Sequence, residues 1–286
     1  MATLKAIRKR IGSIRNTQQI TKAMKMVSAA KLRRAQEAAI LARPYAEKMT
    51  DLLRNLSGRV SQEAHPLLKV REQKRLLLLL LTSDRGLCGG YNANLIRAAE
   101  AFIRKQGSDK AIQMVLIGRK GADYFRRRKA EIADRYVNIL STPAEELAAE
   151  IAEKIIGRFI HGETDAVYII YSRFRSALSQ VPTLEQLLPV ALSEEGQSEQ
   201  LAEYLYEPSV EALLSSLLPK ITEVGIQRAL LEATASEHGA RMTAMDSATS
   251  NASKMMGTLT LQMNRARQAS ITRELMEIVG TAEALK

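Results

Sequence analysis

The feature that most constrains the fold is a heptad ladder that fills the last quarter of the chain. From Leu217 onward, mostly apolar or small residues return at alternating spacings of three and four. No proline follows Pro219, so nothing there forces a break in a helix. At 1.5 Å per residue, a helix over 220–286 would be a rod of about 100 Å, far longer than an ordinary globular helix. The ladder consists of Leu217, Ile221, Val224, Arg228, Leu231, Ala235, His238, Met242, Met245, Thr249, Ala252, Met256, Leu259, Met263, Ala266 and Ser270.

A second stripe with the same spacing begins at the other end of the chain. Two helices that carry such seams at opposite ends of one chain predict an antiparallel coiled coil. Many seam positions hold Ala, Ser, Thr or Met, which predicts a slim rod that burial stabilises only modestly. The stripe comprises Leu4, Ile7, Ile11 and Ile14, then, after a polar patch at Gln18 and Thr21, Met24, Val27, Ala38, Leu41, Tyr45, Met49, Leu52 and Leu56.

Helix-disfavouring residues interrupt both stripes. A helical glycine costs about 1 kcal/mol relative to alanine, and a proline removes a backbone donor. These residues therefore predict close approach of another element or a local bend. They are Gly12, Pro44, Gly225, Gly239 and Gly257.

The net charge of +11 is concentrated on the first helix. Positions 1–60 hold 14 Lys and Arg against 3 acidic residues, whereas the remaining chain is balanced. Such a stripe attracts an acidic partner, and salt weakens the attraction. Nucleic acid, anionic lipid and an acidic protein surface all meet that description. The absence of an aromatic residue before Tyr45 argues against base stacking and hence against single-stranded nucleic acid.

Composition narrows the class of protein. No run of 18 apolar residues exists, so the sequence predicts no transmembrane helix. The N-terminal segment lacks the continuous apolar stretch of a signal peptide. A single cysteine, Cys88, excludes an internal disulfide, which makes a reducing cytoplasmic setting the default.

The middle of the chain predicts an inserted Rossmann-like α/β domain. Strands are expected at Leu76–Leu81, Ile112–Ile117, Tyr136–Leu140 and Ala166–Ser172, with a weaker edge strand at Val181–Val190. Helical stretches at Tyr91–Gln106, Arg119–Lys129 and Pro143–His161 alternate with them. This alternation favours a mainly parallel sheet with right-handed crossovers. The predicted organisation is a coiled-coil helix over 1–60, the α/β insert over 70–195 and a second coiled-coil helix over 209–286.

The glycine-rich segment Thr82–Asn92 follows the first strand, where doubly wound sheets bind nucleotides. It matches neither the dinucleotide fingerprint nor a P-loop. A tight turn packed under a neighbouring element is the favoured interpretation, and a nucleotide-dependent enzyme is the rival. His65, His161 and His238 have no metal-ligand spacing, and His238 is expected to be packed or to face a partner. We expect no catalytic residue, no metal site and no cofactor.

Three stretches together resemble the γ subunit family of the F-type ATP synthase, from end to end. The N-terminal match runs through Ile20–Ala35, including Ile-Thr-Lys-Ala-Met-Lys-Met-Val-Ser-Ala-Ala-Lys. The insert matches through Thr82–Asn92, and the C-terminus through Asn264–Leu275. The resemblance is to bacterial members, because the extra cysteine-bearing segment of chloroplast relatives is absent.

The resemblance implies a rotor shaft that is not itself catalytic. The paired helices would turn inside a ring of α and β subunits and so couple transmembrane proton flow to ATP synthesis at the β subunits. The insert would lie near the ε subunit and the ring of c subunits. The chain would be peripheral, on the cytoplasmic face of a bacterial plasma membrane, and associated with the membrane only through the c ring. It would bind no nucleic acid; a basic coiled-coil protein that binds nucleic acid is the alternative.

The resemblance also implies which residues meet partners. The basic stripe would face an acidic lever segment of β, with Lys22, Met24, Lys25 and Met26 at that contact. Arg267 and Gln268 would meet a β loop further along the shaft. Tyr204, Tyr206 and Glu207 would belong to the region that seats on the c ring.

Overall fold

The computed structural model describes residues 4–57, 63–107, 109–138, 143–191 and 210–284. These residues form two very long helices with an α/β segment between them in sequence. The helices are α1 (Leu4–Ser57), α2 (Tyr91–Gln106), α3 (Arg119–Arg127), α4 (Ala144–Ile160) and α5 (Val210–Ala284). The strands are β1 (Arg75–Leu81), β2 (Ala111–Ile117), β3 (Ile132–Tyr136), β4 (Ala166–Phe174) and β5 (Gln180–Leu188).

Two compact units divide these elements. One unit comprises Met1–Ser28 with Met242–Lys286, and the other is Ala29–Arg241. Each long helix contributes to both units. These divisions fall inside α1 and α5, so the domain bounds inferred from the sequence (1–60, 70–195 and 209–286) remain a prediction.

The larger unit is built on a five-stranded sheet with the order β3-β2-β1-β4-β5. β1 pairs in parallel with β2 and β4, β2 pairs in parallel with β3, and β5 closes the sheet in antiparallel fashion. A central strand with covered faces needs apolar side chains on both sides. The leucine run of β1 meets that need, because every residue from Leu76 to Leu81 is buried.

Alternate side chains of β1 separate two cores, as the twofold period of a strand requires. Leu77, Leu79 and Leu81 pack with α4 and the first part of α5. Leu76, Leu78 and Leu80 pack with α2 and α3. The sheet is therefore covered by helices on both faces, which is the α/β arrangement that the sequence predicts.

One predicted strand was wrong in position. The sequence suggested Tyr136–Leu140, of which residues 139–140 lie outside the described residues, but β3 covers Ile132–Tyr136. This is an edge strand that carries charged residues, and Asp134 is paired with Arg158 of α4 at 2.9 Å. A prediction based on apolar runs therefore puts this strand in the wrong place, because the strand itself contains charged residues. The strand has ended before Asn138, whose φ of 60° is incompatible with extended backbone.

The smaller unit consists of two helical segments that pair through the predicted ladder. Three polar contacts join them: Gln18 to Ser253, Thr21 to Thr249, and Lys25 to Asp246. As the number rises on α1 it falls on α5, so the two segments are antiparallel. Between Ser250 and Ser270, the residues that are not exposed are the six ladder positions Ala252, Met256, Leu259, Met263, Ala266 and Ser270.

The N-terminal stripe differs from the prediction after Ile14. The polar residue Thr21 is buried and lies in the seam, and Ser28 is 2% exposed whereas Val27 is 56% exposed. Later in α1, Leu41 is 81% exposed, and Tyr45 is also exposed. Val27, Leu41 and Tyr45 were therefore wrongly assigned to the seam. A hydrophobic pattern passes over small hydroxyl residues, although these let two backbones approach closely and can hydrogen-bond across the seam.

The helix glycines have different surroundings. A Cβ on Gly239 would lie 3.3 Å from the Phe174 ring and 3.4 Å from Ala177, so a hairpin tip seats closely on the helix there. Gly12 and Gly257 have nothing within 4 Å of such a Cβ. Of the two expectations for these glycines, close approach is confirmed at Gly239; Gly12 and Gly257 have no close neighbour, and a local bend there stays a prediction.

Candidate partner-binding surfaces

The predicted β-contact residues of α1 lie around the polar part of the seam. Lys22 is exposed and Met26 is 61% exposed, whereas Met24 and Lys25 are half-buried. The Nζ atom of Lys25 lies 2.6 Å from Oδ1 of Asp246 on α5. The segment thus exposes the side chains of Lys22 and Met26 to solvent. The ammonium group of Lys25, by contrast, forms an ion pair with the other helix.

A layer of hydrogen bonds fixes this segment against α5. The Thr21 and Thr249 hydroxyls are 2.7 Å apart, and the Gln18 amide donates to the Ser253 hydroxyl at 2.6 Å. Side-chain partners at defined positions specify register more sharply than alanine or methionine contacts do. Sequence reasoning treated Gln18 and Thr21 as a gap in the stripe and so missed this layer.

Arg267 and Gln268 lie well away from the lysine-bearing segment. Both are exposed, and both follow the seam residue Ala266 on α5. Thr249, the α5 residue opposite Thr21, precedes Arg267 by 18 positions, which corresponds to about 27 Å along a helix. The structure therefore places the two predicted β contacts at separate levels of one helix pair. Tyr204, Tyr206 and Glu207 lie outside the described residues.

A buried charged cluster joins α5 to the loop that follows β1. Arg241 donates to Oε1 of Glu237 at 2.7 Å, and both side chains are about nine-tenths buried. Its guanidinium also reaches the carbonyl oxygens of Arg85 and Gly86 at 3.4 Å. The glycine segment is thus held under a neighbouring helix, as the turn interpretation predicted. Only the spacing of four between Glu237 and Arg241 hinted at the pair in sequence.

Burial perturbs the titration of this cluster. Desolvation raises the pKa of Glu237, although Arg241 opposes the shift. Desolvation, with the Arg241 and Lys31 charges, lowers the pKa of His238 to about 4. A neutral His238 can accept a hydrogen bond from Arg241, whose Nη1 lies 3.3 Å from its Nδ1. The expectation of a packed histidine at this ladder position is confirmed.

Side chains of the glycine segment form hydrogen bonds with backbone groups in and around the segment. The Thr82 hydroxyl donates to the Ile117 carbonyl and accepts from the Gly121 N–H at 2.9 Å. Asn92 accepts from the Ser83 N–H at 3.0 Å. Asp84 accepts from the backbone N–H groups of Arg119 and Asn138 at 3.0 Å, and the turn ion pair expected with Arg85 stays a prediction.

Metal-binding groups and membrane-spanning helices are both absent from the described ranges. Within them, no group of three or more His, Cys, Asp or Glu side chains could hold a metal ion. Nor is any described helix both long and apolar enough to cross a membrane.

Comparison with known proteins identifies the family. A family model described as ATP synthase matches residues 3–285. The ATP synthase gamma chain of Trichlorobacter lovleyi is 52% identical over 288 residues and is covered in full by the whole of this chain. The chain belongs to the ATP synthase gamma chain family. The gamma chain of Moorella thermoacetica, 50% identical over 286 residues, also matches over its full length.

Solved structures agree with this assignment. The central stalk and c-ring structure of the Tetrahymena thermophila mitochondrial ATP synthase contains a chain with a TM-score of 0.62 and 28% identity. The match covers 80% of this chain and 99% of that one. A chain of the Euglena gracilis mitochondrial ATP synthase has a TM-score of 0.71 and covers 99% of this chain, and at 20% identity it shows the shared fold.

Family membership decides between the interpretations left open by the sequence. The gamma chain fold, with long terminal helices and a mixed five-stranded sheet, is the fold observed here. Nothing in the comparisons supports the alternative of a coiled-coil protein that binds nucleic acid. The basic stripe of the first helix therefore belongs to a subunit of ATP synthase.

Proposed function

We propose that this chain is the central rotor shaft of an F-type ATP synthase, a subunit without chemistry of its own. The observation that carries the proposal is the full-length match to gamma chains together with an antiparallel helix pair of the family's fold. Transmembrane proton flow would turn the shaft, and ATP would be made at the β subunits of a surrounding α/β ring.

The physical basis is differential contact. A two-helix shaft has no threefold symmetry, so three β subunits around it would each meet a different face. A surface that contacts one conformation better than another shifts the population toward that conformation. Rotation would move this bias from one β subunit to the next, and the nucleotide affinity of each site would change in turn.

The charge distribution suits such a contact. The first 60 residues carry the whole basic excess. Lys22 and Met26 are exposed beside the hydrogen bonds that join the two helices. An acidic lever on β would be attracted by Lys22, and Met24, Lys25 and Met26 would line the same contact. Arg267 and Gln268 would meet a second β loop about 27 Å further along α5.

The remaining partners and the location complete the proposal. The insert would contact the ε subunit and the c ring, with Tyr204, Tyr206 and Glu207 at the c ring. The chain would be peripheral, on the cytoplasmic face of a bacterial plasma membrane, and would touch the membrane only through that ring. We expect it to bind neither nucleic acid nor a cofactor.

Isolation of the complex tests this function. An affinity-tagged copy of the chain is expressed in its own cells, and membranes are solubilised in mild detergent. We expect α, β, ε and c subunits to co-purify, and inverted membrane vesicles to acidify when ATP is added. A tagged chain that purifies without α and β, or that shifts a random DNA duplex at physiological salt, would contradict the proposal.

A further inference from the structure

A cleft of about 770 Å³ lies within the larger unit, between α1, α5 and the tip of the β4–β5 hairpin. Its lining includes the small and apolar side chains of Ala39 and Ala42 on α1, Leu231 and Ala235 on α5, and Phe174 of the hairpin. A volume of this size lies in the range of about 300–1,000 Å³ that is typical of small-molecule sites.

Two walls of the cleft, α5 and the β4–β5 hairpin, are tied to each other. The Ser236 hydroxyl donates to the Ser172 carbonyl at 2.8 Å, and the hairpin tip packs on Gly239 at van der Waals distance. Glu185 on β5 accepts from Arg228 on α5, which adds a charged tie between hairpin and helix. These contacts hold two of the three sides of the cleft against each other, and α1 forms the third side.

One carboxylate oxygen in this lining lacks a hydrogen-bond partner within the described residues. The Oε2 atom of Glu232 is buried and has no hydrogen-bond partner in the described part of the chain. Desolvation raises the pKa of this carboxyl, and the charges of Arg228 and Arg173, with a hydrogen bond from the Phe174 backbone, only partly oppose it. A buried polar atom without a partner is destabilising, more so when it is charged, and such atoms are rare in native proteins.

We infer that this cleft binds a small organic cation, an amine on an apolar body, with the amine nitrogen donating to Glu232. The apolar walls would bury the body of the ligand, and the ammonium would both satisfy Oε2 and favour the ionised carboxylate. Of the three arginines in the lining, Arg33 pairs with Glu37 at 2.9 Å, Arg228 pairs with Glu185, and Arg175 is exposed to solvent. An anionic ligand would instead face the unpartnered carboxylate.

Binding to the full-length chain tests the inference with naphthylmethylamine as the probe. Because the chain contains no tryptophan, no indole emission interferes with the naphthalene fluorescence and its anisotropy. We expect saturable binding, with the amine about tenfold tighter than its neutral analogue naphthylmethanol. Saturating amine should also raise the unfolding temperature of the chain, since it binds only the folded state.

Three variants make the test specific. Glu232→Gln should bring the amine down to the affinity of the alcohol, whereas Glu37→Gln, a rim carboxylate that already has a cationic partner, should leave the preference unchanged. Ala39→Phe should fill the cleft and weaken both probes. Circular dichroism and thermal melting establish that each variant folds. Equal affinity for amine and alcohol, no saturable binding, or a preference that survives Glu232→Gln would overturn the inference.

Discussion

At the scale of single residues, buried ionisable side chains are grouped at the junction between α5 and the loop after β1. Glu237, His238 and Arg241 are all buried there, although each could ionise. Such groups add stability only while their partners are in place, because the cost of removing them from water is already incurred. The cluster is therefore where stability should respond most to single substitutions and to pH.

The pH response of His238 follows from its lowered pKa. Its pKa is 6.5 when unperturbed and about 4 in the folded chain, so the unfolded chain binds more protons between these values. Stability contributed by neutral His238 is complete above pH 6.5 and is lost as the pH falls toward 4, by at most about 3 kcal/mol. Urea unfolding at pH 7.5 and pH 5 should show a smaller pH difference for His238→Gln than for the natural chain. An identical pH difference would remove His238 from this role.

The Glu237–Arg241 pair should show strong coupling. Arg241→Met leaves Glu237 buried without its cation, which we expect to destabilise the chain by about 3–5 kcal/mol. The double variant Glu237→Met/Arg241→Met removes both charges and should recover much of that loss. Chemical unfolding of the two single variants and the double variant measures the coupling. Additive losses would mean that the two side chains do not depend on each other.

At the scale of elements, close backbone approaches decide where glycine is required. Gly118 joins β2 to α3 with a φ of 94°, and a Cβ there would lie 2.0 Å from the Thr82 carbonyl oxygen. Backbone cannot yield as the end of a flexible side chain can. By contrast, Gly157 inside α4 has nothing within 4 Å of a Cβ.

These two glycines give a matched pair of predictions. Gly118→Ala should destabilise the larger unit by about 3 kcal/mol or more, because it combines a positive φ with a backbone clash. Gly157→Ala should instead stabilise it by about 0.5–1 kcal/mol, since alanine is the better helix former. Thermal unfolding of both variants compares them directly. A Gly118→Ala chain as stable as the natural one would show that the turn can rearrange.

At the scale of the whole molecule, the proposed shaft has two predicted β contacts at different positions along one helix pair. Lys22 and Lys25 lie beside the register layer, and Arg267 and Gln268 lie further along α5. Exposed ion pairs contribute only about 0–1 kcal/mol each, whereas a broken hydrogen bond to a charged group costs about 1.5–3 kcal/mol. The two levels should therefore respond differently to substitution once a ring of subunits surrounds them.

ATP synthesis and hydrolysis by reconstituted complexes measure how much each of the two contacts matters. Lys22→Ala/Lys25→Ala should preserve assembly and change turnover or coupling, with a smaller effect at high salt. Arg267→Ala/Gln268→Ala should lower ATP synthesis and hydrolysis more strongly. Asp246→Ala is the control, because it removes the same 2.6 Å ion pair while leaving Lys25 in place. If the lysine variant fails to assemble while the Arg267/Gln268 variant behaves like the natural chain, the Lys22/Lys25 contact is the more important one and the prediction is wrong.

The sequence by itself determined the elements whose signals are local. The ladder from Met242 to Ser270 and the leucine run of β1 predicted a long helix and a buried strand, since periodicity and apolarity act over a few residues. The antiparallel helix pair followed from two matching seams, and the family followed from long specific stretches. The positions of Tyr204, Tyr206 and Glu207, and the partner contacts as a whole, stay predictions.

Only the tertiary structure decided the features that depend on groups distant in sequence. Thr21 belongs to the seam because its hydroxyl meets Thr249 of α5, and Ser28 is buried although it is polar; no hydrophobic pattern could show either. Arg241 meets the carbonyl of Gly86, 155 positions away, and β3 lies at an edge where packing on one side tolerates charge. Seam register, buried charge and the unpartnered oxygen of Glu232 all arise from such non-local contacts, whose energies a local pattern does not contain.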